Sequence, residues 1–147
     1  MKTINSFIFL PFLIILLLVT SVESASDWVE FGRYNNGDVI SYNKVSIKYM
    51  TKDMVQVWCK DVFSNEGREE NIQYMRNKGI STEGWNKLSH GLILVEIDCK
   101  KERNQSLNVT YYDTDGKVLY RNSYDKRNWD DIPPGLIFDN LRKKVCK

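Results

Sequence analysis

Leu92-Ile93-Leu94-Val95-Glu96-Ile97-Asp98-Cys99 is the most apolar run of the chain beyond residues 1–24. Its alternation puts Ile93, Val95, Ile97 and Cys99 on one face of a strand and Glu96 and Asp98 on the other. The first face reads as buried. The second reads as solvent-facing, because nothing nearby in the sequence offers these two carboxylates a partner that would shift their pKa.

Downstream, Asn104 to Asp113 and Lys117 to Tyr124 read as two more strands, joined through Thr114-Asp115-Gly116, where Asp-Gly supplies the positive φ angles of a tight hairpin. With Asp115 and Gly116 as the turn residues, Thr114 faces Lys117, Tyr112 faces Leu119 and Tyr111 faces Tyr120. Leu107, Val109, Tyr111, Val118, Tyr120 and Tyr124 then share an inner face, and Asn108, Thr110, Lys117 and Arg121 point outward, as in a half-buried antiparallel sheet. Asp113 to Gly116 is a plain turn, not a calcium loop, since no third acidic ligand and no distant glutamate follow. Trp129 to Pro134 is extended, and a short helix covers about Gly135 to Lys144 with Ile137, Leu141 and Val145 on one side. The basic residues Arg142, Lys143, Lys144 and Lys147 suit a solvated helix end.

Upstream, Asp27 to Gly32 is a short strand and Asn35-Asn36-Gly37-Asp38 a turn flanked by strands. Val45 to Met50 and Met54 to Phe63 read as a further neighbouring pair. Ser64 is the cap of a helix that ends at Gly79, with Glu66, Glu69 and Glu70 early and Arg76 and Lys78 late, matched to the dipole. The stretch Ile80 to His90 has no clear period.

Residues 1–24 carry Lys2, the apolar block Phe7 to Val19 and a small-residue exit, the layout of a secretory signal peptide cut after Ser24. The apolar run stops at Thr20, short of the ~18 to 20 residues of a bilayer span. Residues 25–147 then form one domain with no transmembrane segment. A formal charge of +2 gives no argument for nucleic acid.

Three cysteines are present. A bridge from Cys99 to Cys146 would tie down the tail and close a loop of roughly 50 residues, worth ~4 kcal/mol in the chain-entropy model. Cys59, on a strand face with Val55 and Val57, reads as a small buried hydrophobe. His90 is the sole histidine, with no serine elbow or cysteine signature around it, so no catalytic residue is assigned. No ligand set for a metal and no cofactor site is expected. Asn104-Gln105-Ser106 and Asn108-Val109-Thr110 match the short glycosylation pattern. Of the four Trp and eight Tyr, Tyr111, Tyr120 and Tyr124 read as core, and Trp85 and Tyr112 as the candidate binding surface.

The Trp28 start, Val55-Gln56-Val57-Trp58, Leu94 to Cys99, Tyr111-Tyr112-Asp113-Thr114-Asp115-Gly116-Lys117-Val118, Trp129 to Pro134 and Val145-Cys146-Lys147 together resemble the bacterial surface-adhesin protein E-like family. The resemblance implies an α+β fold: an antiparallel sheet of about six strands, one central helix and a short C-terminal helix, stapled by a Cys99–Cys146 disulfide. It also implies a non-catalytic domain that adheres to host or envelope macromolecules and can form a homodimer. Cys59 is an extra cysteine, and none follows residues 1–24 where a lipid anchor would attach, so periplasm and cell surface both stay open. A soluble periplasmic structural or inhibitor protein of the same fold is the alternative, and a small hydrolase using His90 with Cys59 or a serine the third reading.

Overall fold

The computed structural model describes residues 27–125 and 128–147. The signal-peptide reading of residues 1–24 lies outside them.

The strands are β1 (Trp28–Arg33), β2 (Val39–Asn43), β3 (Lys48–Tyr49), β4 (Met54–Val62), β5 (Leu88–Asp98), β6 (Arg103–Asp113), β7 (Val118–Ser123) and β8 (Asp130–Asp131), with helices α1 (Asn65–Asn77) and α2 (Ile137–Val145). The path of the sheet is β1-β2-β4-β5-β6-β7, with β3 added on β4 and β8 on β6. Every pairing is antiparallel. This is the α+β architecture that the resemblance implies.

The Leu92 to Cys99 run lies in the middle, paired with β4 on one side and β6 on the other. Val55, Val57 and Cys59 stand opposite Ile97, Val95 and Ile93. Together with Phe31, Ile40, Leu141 and Val145 they make the larger core cluster, beneath α2. Fully burying Leu141 or Val145 contributes ~1.5 to 3 kcal/mol each, enough to hold a helix too short to stand alone. The second cluster seats α1 through Ile72 and Met75 on Phe63, Trp85 and Leu88, with Tyr111, Leu119 and Tyr120 alongside. Both helices therefore use one face of the sheet.

Helix α1 begins where Ser64 Oγ accepts the Gly67 N–H at 3.0 Å. It ends at Gly79, whose φ of +72° takes the chain out of the helix. Gly67 is helical, yet a Cβ there would overlap the Asp38 carboxylate. That carboxylate accepts the Ser64 N–H at 2.7 Å and so sits at the positive end of the helix. Helix α2 is held at its start by Asp139, 1% exposed, which accepts the Gly135 N–H at 2.9 Å. Lys143 and Arg142 also reach it, each at 2.7 Å. The Gly135 N–H first, then Lys143 and Arg142, hold the Asp139 carboxyl well below the usual carboxylate range. At the far end of α2, Cys146 is bonded to Cys99, with a Cα separation of 5.8 Å.

Several expectations need correction. Val45 to Met50 is not a strand: Lys44–Ser46 is a 3₁₀ turn capped by Asn43, and only Lys48–Tyr49 pairs with β4. Ser46 Oγ accepts the Trp58 N–H at 3.0 Å, so a side chain takes over where a ladder bond would be. Glu96 and Asp98 are not solvent-facing; each is 7% exposed. Gln56 Nε2 and Gln105 Nε2 donate to the two Glu96 oxygens at 2.9 and 2.7 Å. Arg103 pairs with Asp98 at 3.2 Å. The Glu96 partners come from the two neighbouring strands, which only the register brings together, whereas Arg103 lies just across the β5–β6 turn from Asp98 and was within reach of a local reading.

The β6–β7 hairpin is also one residue longer at its turn than expected. Asp113 N–H donates to Lys117 O at 2.9 Å, leaving Thr114, Asp115 and Gly116 as the loop. The Asp113 carboxylate closes it by accepting the Asp115 and Lys117 N–H groups at 2.9 and 2.8 Å. Tyr112 consequently faces Val118, and a bulge at Leu119 restores the Tyr111 to Tyr120 pairing. Val118 is turned outward, 41% exposed, and Leu119 joins the core beside α1.

Candidate functional site

Because directly paired residues share a face, the register assigns the side chains of the uncovered side of the sheet. One cross-strand row is Glu30, Ser41, Lys60, Leu92, Thr110 and Arg121. The next row toward β3 contains Trp28 beside Asn43, and Trp58, Leu94, Asn108 and Ser123. On the other side lies the row Val39, Val62, His90, Tyr112 and Val118. Among the described residues, neither helix packs on these rows, since both core clusters are built from the opposite set.

This outer face is rich in rings. Trp58 is 37% exposed. His90 and Tyr112, paired across β5 and β6, stack with centroids 5.0 Å apart and planes 12° from parallel. Lys60 Nζ lies 4.9 Å from the Trp28 ring centroid, a cation–π distance. Trp28, Asn43, Trp58, Leu92 and Tyr112 enclose a shallow hollow of about 410 Å³. Burial first, and then the Lys60 charge, push His90 below its ordinary pKa, so the imidazole is neutral at pH 7.

Of the two residues expected to form a binding surface, Tyr112 lies on this face and Trp85 does not. Trp85 is 1% exposed, packed edge-on against Tyr111 at 5.6 Å. It sits on the 3₁₀ turn Trp85–Lys87, entered through Gly84 at φ +78°, which drops the indole between α1 and the sheet. Its spacing of three from Leu88 was the available signal that both are core. Tyr124, read as core, is instead 46% exposed just past the end of β7. Sequence reading did not place Trp28 and Trp58 on a binding surface, because their strands were read for the buried side. It weighed His90 only as a catalytic base, in a stretch without a clear period whose last residues the structure makes the start of β5.

The buried face carries a different cluster. Cys59 is 0% exposed and free, and burial followed by the Asp61 charge pushes its thiol pKa up, so it stays protonated. Asp61 lies on the same face; its Oδ1 is buried without a hydrogen-bond partner among the described residues. Burial, then Asp38, raises its pKa to about 7. Tyr34, beside it, is pushed up to about 12 by burial and then by Asp61. His90 and Cys59 stand on opposite sides of the sheet, so the two cannot act as base and nucleophile together. Among the described residues, no group of three or more His, Cys, Asp or Glu could hold a metal ion. No described helix is long and apolar enough to cross a membrane.

An antiparallel sheet backed by helices on one side, with rings and short polar side chains presented on the other, defines a small α+β binding module. The chain belongs to the surface-adhesin protein E family, whose model matches residues 28–147. Among solved structures, it is similar to the crystal structure of protein E from non-typeable Haemophilus influenzae. That match has a TM-score of 0.48 and 9% identity, and covers 85% of this chain and 78% of the other. No curated protein matches the chain.

Proposed function

We propose that this protein is an exported, non-catalytic adhesin-like domain that engages another macromolecule through the outer face of its sheet. One observation carries the reading: Trp58, Tyr112, His90 and Leu92 are gathered beside Trp28 on a sheet face that neither described helix covers. Rings of this kind offer large rigid contact area at low entropic cost, and a few of them dominate the energetics of recognition. Membership of an adhesin family supports the same reading. Tyr112 is the member of the expected surface that takes part.

Binding of the purified chain to immobilised matrix and envelope extracts tests it. Trp58→Ala and Tyr112→Ala should each lower affinity at least ~10-fold while leaving the fold intact. Unchanged binding by both variants would overturn the proposal. Protease shaving of intact cells decides between surface and periplasm, because a periplasmic protein survives until the outer membrane is opened.

A further inference from the structure

We infer that the outer face binds an acidic polysaccharide, laid across the strands with its anionic groups at Lys60 and Arg121. This rests on the proposed use of that face. Lys60 and Arg121 occupy one cross-strand row, with Leu92 and Thr110 between them. Three strand spacings separate them, roughly 14 Å at the usual inter-strand distance. Lys60 leans toward the Trp28 ring on β1, away from Arg121 on β7, so the two cations suit a chain with repeated negative charges better than one small anion.

The ground between and beside the two cations suits sugar rings. Trp58, 37% exposed, and Leu94 beside it offer apolar surface for the C–H face of a pyranose, and the stacked His90 and Tyr112 flank them. Ser41, Asn43, Asn108 and Ser123 are short donors and acceptors matched to ring hydroxyls. The shallow hollow beside Trp58, about 410 Å³, has room to seat one small unit against the sheet.

Charge points the same way. In these three rows the acid is Glu30, already paired with Arg33 at 3.2 Å. Glu96 and Asp98 lie farther along the strands, engaged by Gln56, Gln105 and Arg103. No ion pair among the described residues uses Lys60 or Arg121.

Isothermal titration of the purified chain with hexasaccharides of polygalacturonate and heparin, as carboxylated and sulfated probes, tests the inference. Cellohexaose is the neutral control and a thymidine oligonucleotide the other polyanion. At least one acidic glycan should bind about tenfold more tightly than cellohexaose, and added salt should erode the difference. Lys60→Gln with Arg121→Gln should remove about tenfold or more, while Lys60→Arg with Arg121→Lys should restore much of it. Equal binding of the neutral glycan, tighter binding of the oligonucleotide, or no heat with either acidic probe would overturn the assignment. If that happens while Trp58→Ala still weakens attachment to matrix extract, only the ligand class falls. If Trp58→Ala and Tyr112→Ala are also without effect there, the use of this face falls with it.

Discussion

The Tyr111 ring lies across strand β5 directly over Gly91, its cross-strand partner, where an added Cβ would come within 2.7 Å of the ring. The missing side chain lets the ring lie down on the sheet, where it meets Phe63 and Trp85 edge-on at 5.6 Å each. Tyr111 and Tyr112 are adjacent in sequence and serve opposite faces: one anchors the packing of α1, the other stacks on His90 outside.

Gly91→Ala should therefore destabilise the fold by ~1 to 3 kcal/mol, the usual range for overpacking a filled core. Urea unfolding followed by tyrosine and tryptophan fluorescence reads this directly. An unchanged midpoint would mean the ring has room to move aside.

At Gly67, the ordinary rule for helices should reverse. Alanine is normally favoured over glycine inside a helix by about 1 kcal/mol. Here the new methyl would occupy the space of the Asp38 carboxylate, which holds the Ser64 N–H. Gly67→Ala should thus lower stability by ~1 to 3 kcal/mol. Gly67→Ala combined with Asp38→Ser, which vacates that space, should lose less than the sum of the two single changes in denaturant melts.

Cys146→Ser should cost ~2 to 4 kcal/mol, because the bridge to Cys99 closes a long loop. Cys59→Ala sits in the core but touches no crosslink, so its effect should be the loss of one buried sulfur alone, ~1 kcal/mol. Mass mapping of the oxidised protein should find the Cys99 and Cys146 peptides joined and Cys59 alkylated only after denaturation.

Asp61 predicts a pH dependence with a definite sign. Its folded pKa of about 7 lies above the ordinary carboxylate value. The folded form therefore binds the proton more tightly than the unfolded form, and this group favours folding most below about pH 4. That advantage is lost as pH rises to about 7, after which the ionised carboxylate remains as a constant penalty. Asp61→Asn should raise stability at about pH 8 by ~1 to 3 kcal/mol and flatten the decline between about pH 4 and 7. Asp139 works in the opposite sense: its depressed pKa supports the fold above about pH 4 and ceases to do so in stronger acid. Melts of wild type, Asp61→Asn and Asp139→Asn across pH separate the two contributions.

Much of this arrangement is legible in the sequence. The alternation of Ile93, Val95 and Ile97, and of Val55, Val57 and Cys59, identifies the central strands and their buried face, and Ser64 and Gly79 bracket α1 as caps should. What failed was information carried between strands. The burial of Glu96 depends on Gln56 and Gln105, which only the register brings together. The turn at Gly116 gained a residue because the Asp113 side chain competes for the backbone amides. Trp58 was not read as surface because strand periodicity marks the face that is buried, and the function proposed here uses the face that is not.

The bond between Cys99 and Cys146 also makes β6, β7, β8 and α2 part of a covalent ring. A pull applied between residue 27 and the C-terminus can unzip only the chain that precedes Cys99. The maximum extension is thus capped at roughly 250 Å, where an uncrosslinked chain would stretch to roughly 420 Å. Under shear, the segment bearing Tyr112 and Arg121 cannot be drawn out into thread, so a load-bearing contact there would slacken less and keep half of its footing.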